Sequence, residues 1–212
     1  MSNDQVSIKD WILIPALITL MVSLLRLTGE LMEWSAFLFS REAGGNGSPM
    51  GISWLIVVFG FYFGWALSKR GHEPPSMGRA WGVFAVIFLL LFGILTAASI
   101  MGINYPVFLL ALIAMCIAAY LAHRYWGPLG KVLFAYAWAA RIPVIIIAFF
   151  AIFGDWGTHY EKGPPEFVYP ESPFQHWLLL GLLPQATLWI HMTLTWGGLF
   201  ALIGTHLGKR KS

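Results

Sequence analysis

From residue 80 to residue 123 the chain carries no aspartate, glutamate, lysine or arginine. A soluble helix needs a polar face turned to water, and a run of this length has none to offer. Only 11% of the 212 residues are charged and 58% are hydrophobic, whereas soluble domains carry about 25% charged residues. The solvent for most of this chain is therefore lipid, and in lipid the backbone must satisfy its own hydrogen bonds, which predicts helices. The expected fold class is all-α: a polytopic integral membrane protein forming one transmembrane domain over residues 1–212.

Crossing a hydrocarbon core of about 30 Å at 1.5 Å per residue takes roughly 20 residues. Six segments qualify, at 11–33, 50–68, 80–103, 106–122, 131–153 and 177–206. Lysines and arginines outside the spans fall nine on one side and two on the other, which predicts cytoplasmic N- and C-termini and a multi-pass protein of the cell membrane. The stretch from Ser2 to Asp10 lacks a signal-peptide pattern, so the first span is expected to be retained. The net charge of +3 then reflects topology and anionic lipid, and nucleic acid is not an expected partner. The lone Cys116 excludes an intrachain disulfide and a cysteine-based metal site.

Two connectors are long. Residues 34–49 contain a glycine-rich turn (Gly44, Gly45, Gly47, then Pro49), and residues 154–176 form an outer loop or cap in which Pro164 and Pro165 forbid a continuous helix. Gly60 and Gly64 have the GxxxG spacing that lets helices approach closely, within the chain or between copies. Spans three and four are apolar nearly all round and are the expected lipid-facing walls.

The polar atoms belong to spans one, five and six. Thr19, Ser23, Arg26, Glu30 and Glu33 follow at spacings of 4, 3, 4 and 3, a single helical stripe that should face protein or water. Arg26 and Glu30 can neutralise each other, or Arg26 can snorkel to the interface. Arg141 lies about 15 Å into the membrane by helix rise from Lys131, so its guanidinium needs carbonyls, a carboxylate, water or an anion. Pro143 frees backbone acceptors near it, notably the carbonyl of Ala139. In span six, Pro184, Thr187, His191, Thr195 and Gly198 recur as one stripe, with Gln185 beside it; His191 is either an interhelical hydrogen bonder or a functional group.

Together these residues predict a polar cavity among spans one, five and six, opening outward beneath the 154–176 loop. Arg26, Glu30, Arg141, Gln185 and His191 are the candidate ligand-binding residues, with Asp155, Thr158, His159 and Tyr160 at the mouth. The expected role is to bind or pass a small polar or anionic molecule, with His191 able to couple a proton. Two alternatives stand beside it. One is an accessory or assembly subunit of a larger membrane complex, its apolar walls and eleven tryptophans meeting partner subunits or lipid. The other is an enzyme acting on a lipid head group, with His159 or His191 as acid/base and Arg26 or Arg41 on phosphate.

Recognised hydrolase, metalloprotease and phosphate-loop motifs are missing, so catalysis is not the leading expectation and no metal is expected; Asp155 and His159 alone have metal-ligand spacing. No cofactor is predicted, although His123 and His206, near the inner ends of spans four and six, have the placement for bis-histidine haem ligation.

Overall fold

The computed structural model describes residues 7–165 and 167–209, apart from the side chains of Asn46 and Lys209. Residues 2–6 of the retained N-terminal stretch, and Arg210 and Lys211 from the charge count, lie outside the described residues. The described chain is helical, with no strand: α1 (Ile8–Leu31), α2 (Leu55–Lys69), α3 (Met77–Met101), α4 (Tyr105–Tyr125) and α5 (Gly127–Gly154). A short α6 (Pro173–His176) then leads through a π-helical turn, Trp177–Leu182, into α7 (Leu183–Ala186) and α8 (Leu188–Lys209). Five stretches are long and apolar enough to cross a membrane: α1, α3, α4, α5 and the combined Pro173–Gly208.

The expected second span is the exception. α2 has 15 residues, about 22 Å of helix, because residues 50–54 after Pro49 form turns instead of the first helical turns. The shortened end leaves Gly51, Ile52 and Ser53 as loop residues at one end of the bundle, where they line a cavity.

The closest helix pair is α2 against α8. Gly60 faces Gly197, Gly64 faces Ala201, and Gly204 faces the backbone of Phe61 and Trp65, so the two helices meet backbone to backbone. The Thr205 hydroxyl completes the seam by donating to the Gly64 carbonyl at 3.1 Å. The GxxxG pair is thus engaged within the chain, not between copies. Around this seam α5 and α8 form the centre of the bundle, with Phe63, Phe84, Ile87, Leu133, Tyr136, Leu194 and Leu202 buried between helices. α3 contributes only Ala80, Phe84, Ile87 and Leu91 to the interior and presents an apolar outer surface.

α1 docks on α5 through the polar stripe. Trp11, Pro15, Thr19, Ser23, Arg26 and Glu30 are buried, while Leu13, Ile14, Leu17, Ile18, Met21, Leu24 and Leu25 are exposed. Thr19 and Tyr136 share a hydrogen bond of 2.9 Å across the interface. The stripe ends sooner than its periodicity suggests: the helix stops at Leu31, and Glu33 adopts a left-handed backbone (φ 53°). Its exposed side chain pairs with Arg41 at 3.0 Å.

Candidate functional site

A cavity of about 200 Å³ lies between α1, α5 and the first half of the last helical stretch, roofed by the glycine-rich turn and by His159, Tyr160 and Lys162. Arg26, Arg141, Lys162 and Gln185 line it, with His159 and Tyr160 at the roof and Ile52, Val144, Ala148, Leu180, Pro184 and Trp189 supplying apolar wall. Among the described residues, none of those lining it is acidic.

The two arginines differ in what already occupies them. Arg26 donates from Nε to Glu30 Oε1 at 2.8 Å and from Nη2 to the Ser40 carbonyl at 3.4 Å. The glycine-rich turn folds directly over its guanidinium. A Cβ on Gly45 would overlap that group, and Gly45 also holds φ at +74°, so glycine is required there on both counts. A Cβ on Gly51 would stand 3.0 Å from Nη1.

Glu30, with no exposed side-chain surface, is a staple between α1 and the outer loop. Besides Arg26, its Oε1 lies 2.6 Å from His159 Nδ1, and its Oε2 accepts the His159 backbone N–H at 2.9 Å. Carboxylate, guanidinium and loop are thereby committed to one another, as a buried ionic group requires.

Arg141 is 2% exposed and has no such commitment. Among the described residues its one hydrogen bond runs from Nη1 to Gln185 Oε1 at 3.3 Å, and Nε has no acceptor. Its guanidinium carbon stands 4.5 Å from the centre of the Trp189 ring, within cation–π range. α5 stays helical through Pro143, and Arg141 turns to Gln185 and not to a carbonyl freed by the proline. Lys162 adds a second cation at the roof.

The remaining candidates separate. His191 is buried away from the cavity and hydrogen-bonds the Ile87 carbonyl of α3 at 3.1 Å, while Thr195 bonds back to the His191 carbonyl at 2.9 Å. The cause is the break at Thr187, between α7 and α8, with backbone angles of −122° and −73°. Uniform helical spacing puts Pro184 and His191 on one face; across the break, Pro184, Gln185 and Trp189 face the cavity and His191 faces α3. Asp155 is the exposed left-handed cap of α5 (φ 48°) and does not line the cavity. Thr158 is buried behind the roof, its hydroxyl without a partner, and His159 pairs with Glu30, with no group of three or more possible metal ligands among the described residues. His123 and His206 are exposed near the ends of α4 and α8.

Besides Gly51 and the apolar wall residues Ile52, Val144, Ala148 and Leu180, the cavity residues Lys162, Ser53 and Trp189 escaped the sequence reading. Lys162 counted only as loop charge, and Ser53 lay inside an expected helix. Trp189 lies beyond the break at Thr187, so uniform helical spacing from Gln185 does not place it; the break itself brings it to the cavity.

Burial pushes the His159 imidazole below the ordinary histidine value, and the nearby Arg26 charge acts in the same direction; the Glu30 bond opposes both without reversing them. The sign follows. A depressed folded-state value contributes stability that is fully present above the unfolded value of about 6.5 and is lost as pH falls through the folded value. Acidification below about pH 6.5 is expected to loosen the roof. Hydrogen exchange of the 158–162 amides across that range checks it: exchange should rise as pH falls, after correction for intrinsic rates, and pH-independent protection would contradict it.

No protein-family model, curated protein or solved structure matches the chain.

Proposed function

We propose that the chain is a six-span cell-membrane protein with both termini in the cytoplasm, whose outer cavity binds or passes a small polar or anionic molecule. What supports this is Arg141, a buried guanidinium lining a cavity without acidic walls among the described residues, where one of its five N–H groups is hydrogen-bonded. A cation placed this deep in apolar surroundings calls for a counter-charge, and Glu30, the carboxylate paired with Arg26, is already committed to Arg26 and His159.

The experiment is a thermal-shift screen of the purified protein against small anions and neutral polar solutes at fixed ionic strength. At least one anion is expected to raise the melting temperature saturably, and Arg141→Ala is expected to abolish the response. Absence of any anion response, or a response indifferent to Arg141→Ala, would defeat the proposal.

A second reading is favoured by one distance. Glu30 Oε1 stands 2.6 Å from His159 Nδ1, close but outside hydrogen-bond angles, and among the described residues Nε2 has no hydrogen-bond partner, which leaves the ring available as an acid/base histidine. Mass spectrometry of the anion recovered after incubation separates the two readings: a binding protein returns it unchanged, and an enzyme does not.

A further inference from the structure

We infer that the cavity selects an oxyanion, a carboxylate or phosphate carried on a short apolar stem, and that Arg141 takes it side-on through Nε and Nη2. This rests on the anion-binding reading above and narrows it. Three sides of the Arg141 guanidinium have distinct surroundings. Nη1 is held by Gln185, a ring face is covered by Trp189, and Nε is buried with no acceptor. The edge left over carries the Nε and Nη2 hydrogens, which point in parallel and match the paired oxygens of a carboxylate or phosphate. A halide is a single sphere and cannot satisfy both directions equally well.

Gln185 and Trp189, four residues apart on the same side of the last span, fix the plane of the guanidinium before any ligand arrives. Preorganisation of this kind lowers the ordering cost of binding. Arg26 has no comparable edge, since Glu30, the Ser40 carbonyl and the glycine-rich turn surround it. It holds the roof, and Arg141 is left to hold the ligand. Lys162 strengthens the field without imposing geometry, as a point charge does.

The stem follows from the apolar wall. That wall begins on α5 itself, where Val144 and Ala148 follow Arg141 by three and seven residues, and continues through Leu180 and Pro184; a hydrated inorganic anion would leave these apolar groups against water while an alkyl chain would cover them. The cavity's 200 Å³ can be set against the roughly 150 Å³ in which an engineered apolar cavity holds benzene. The fit is to an oxyanion head with a stem of about four to six carbons.

The test titrates the purified full-length protein with hexanoate, monobutyl phosphate, dihexanoyl phosphatidic acid and chloride at matched ionic strength and neutral pH, reading thermal shift and calorimetric affinity. Hexanoate or monobutyl phosphate is expected to bind saturably, at least about tenfold more tightly than chloride. Arg141→Lys, which keeps the charge and loses the fork, is expected to weaken binding about tenfold or more. Leu180→Trp, which fills the stem space and leaves Arg141 in place, is expected to remove the hexanoate response.

Chloride binding as tightly as both hexanoate and monobutyl phosphate in wild-type protein overturns the inference, and that comparison needs no variant to fold. Arg141→Lys binding like wild type, in a monodisperse preparation, overturns it as well. Chloride binding that matches the oxyanions in affinity and depends on Arg141 would leave the anion cavity standing and remove the oxyanion preference, whereas no response to any anion removes both. Tighter binding of the phosphatidic acid than of monobutyl phosphate assigns the head to a lipid, and the reverse order assigns it to a free solute; each order supports the fork.

Discussion

Glu30→Gln is expected to lower the stability of the protein by about 3–5 kcal/mol, the usual consequence of leaving one charge of a buried pair without its partner. The substitution is nearly isosteric, so packing is not the cause. Glutamine can still accept the His159 backbone N–H, but it cannot balance Arg26, which is 8% exposed beneath the glycine-rich turn. Denaturant or thermal unfolding in detergent measures the loss, and a second observable accompanies it. Because Glu30 is what ties the outer loop to α1, faster proteolysis at Lys162 should appear with the lower midpoint. Adding Arg26→Met to Glu30→Gln is expected to recover most of the loss, since it removes the unpaired buried charge and leaves the His159 backbone N–H its acceptor. A change below about 1 kcal/mol in Glu30→Gln would mean that the pair is solvated like a surface salt bridge.

The second large effect belongs to the α2–α8 seam. A Cβ on Gly64 would lie 2.6 Å from the Ala201 Cα and closer still to its carbonyl, and these neighbours are backbone that cannot rotate away. Gly64→Leu must therefore push the helices apart, breaking the Thr205 bond to the Gly64 carbonyl along with the dispersion contacts of the seam. The expected loss is about 3 kcal/mol, at the upper end for overpacking, seen as a lower melting temperature and poor recovery of folded protein. Gly82→Leu is the matched control. Nothing stands within 4 Å of a Cβ at Gly82 on the outer surface of α3, so stability should hold or rise slightly as a helix-interior glycine is replaced. Equal damage at both positions would show that the glycine contact is not what holds the bundle.

How far these features were legible in the sequence depends on the range of the forces behind them. The buried stripe Thr19, Ser23, Arg26 and Glu30 could be read directly, because apolar solvent turns polar groups inward and helical geometry fixes their spacing. Glu33 departed from it because a helix end is set locally, by one residue adopting a left-handed backbone. The shortness of α2 lay behind a hydropathy pattern that does not distinguish a helical turn from the turns of residues 50–54. His191 was assigned to the cavity by a uniform period of 3.6, and the break at Thr187 invalidates that period where it matters. Arg26 and Glu30 are neighbours in one helix, so their pairing was foreseeable; the additional bond from Glu30 to a backbone amide 129 residues away was not.

By itself the sequence determined that the chain is helical, that most of it must be solvated by lipid, and which helix faces carry polar atoms, since each of these follows from hydropathy and local geometry. Only the tertiary structure decided which of two buried arginines is already satisfied. That outcome turns on partners brought together from α1, the glycine-rich turn, the outer loop and the last span, and electrostatic pairing in an apolar interior is settled by distances of 3 to 4 Å that no one-dimensional pattern encodes.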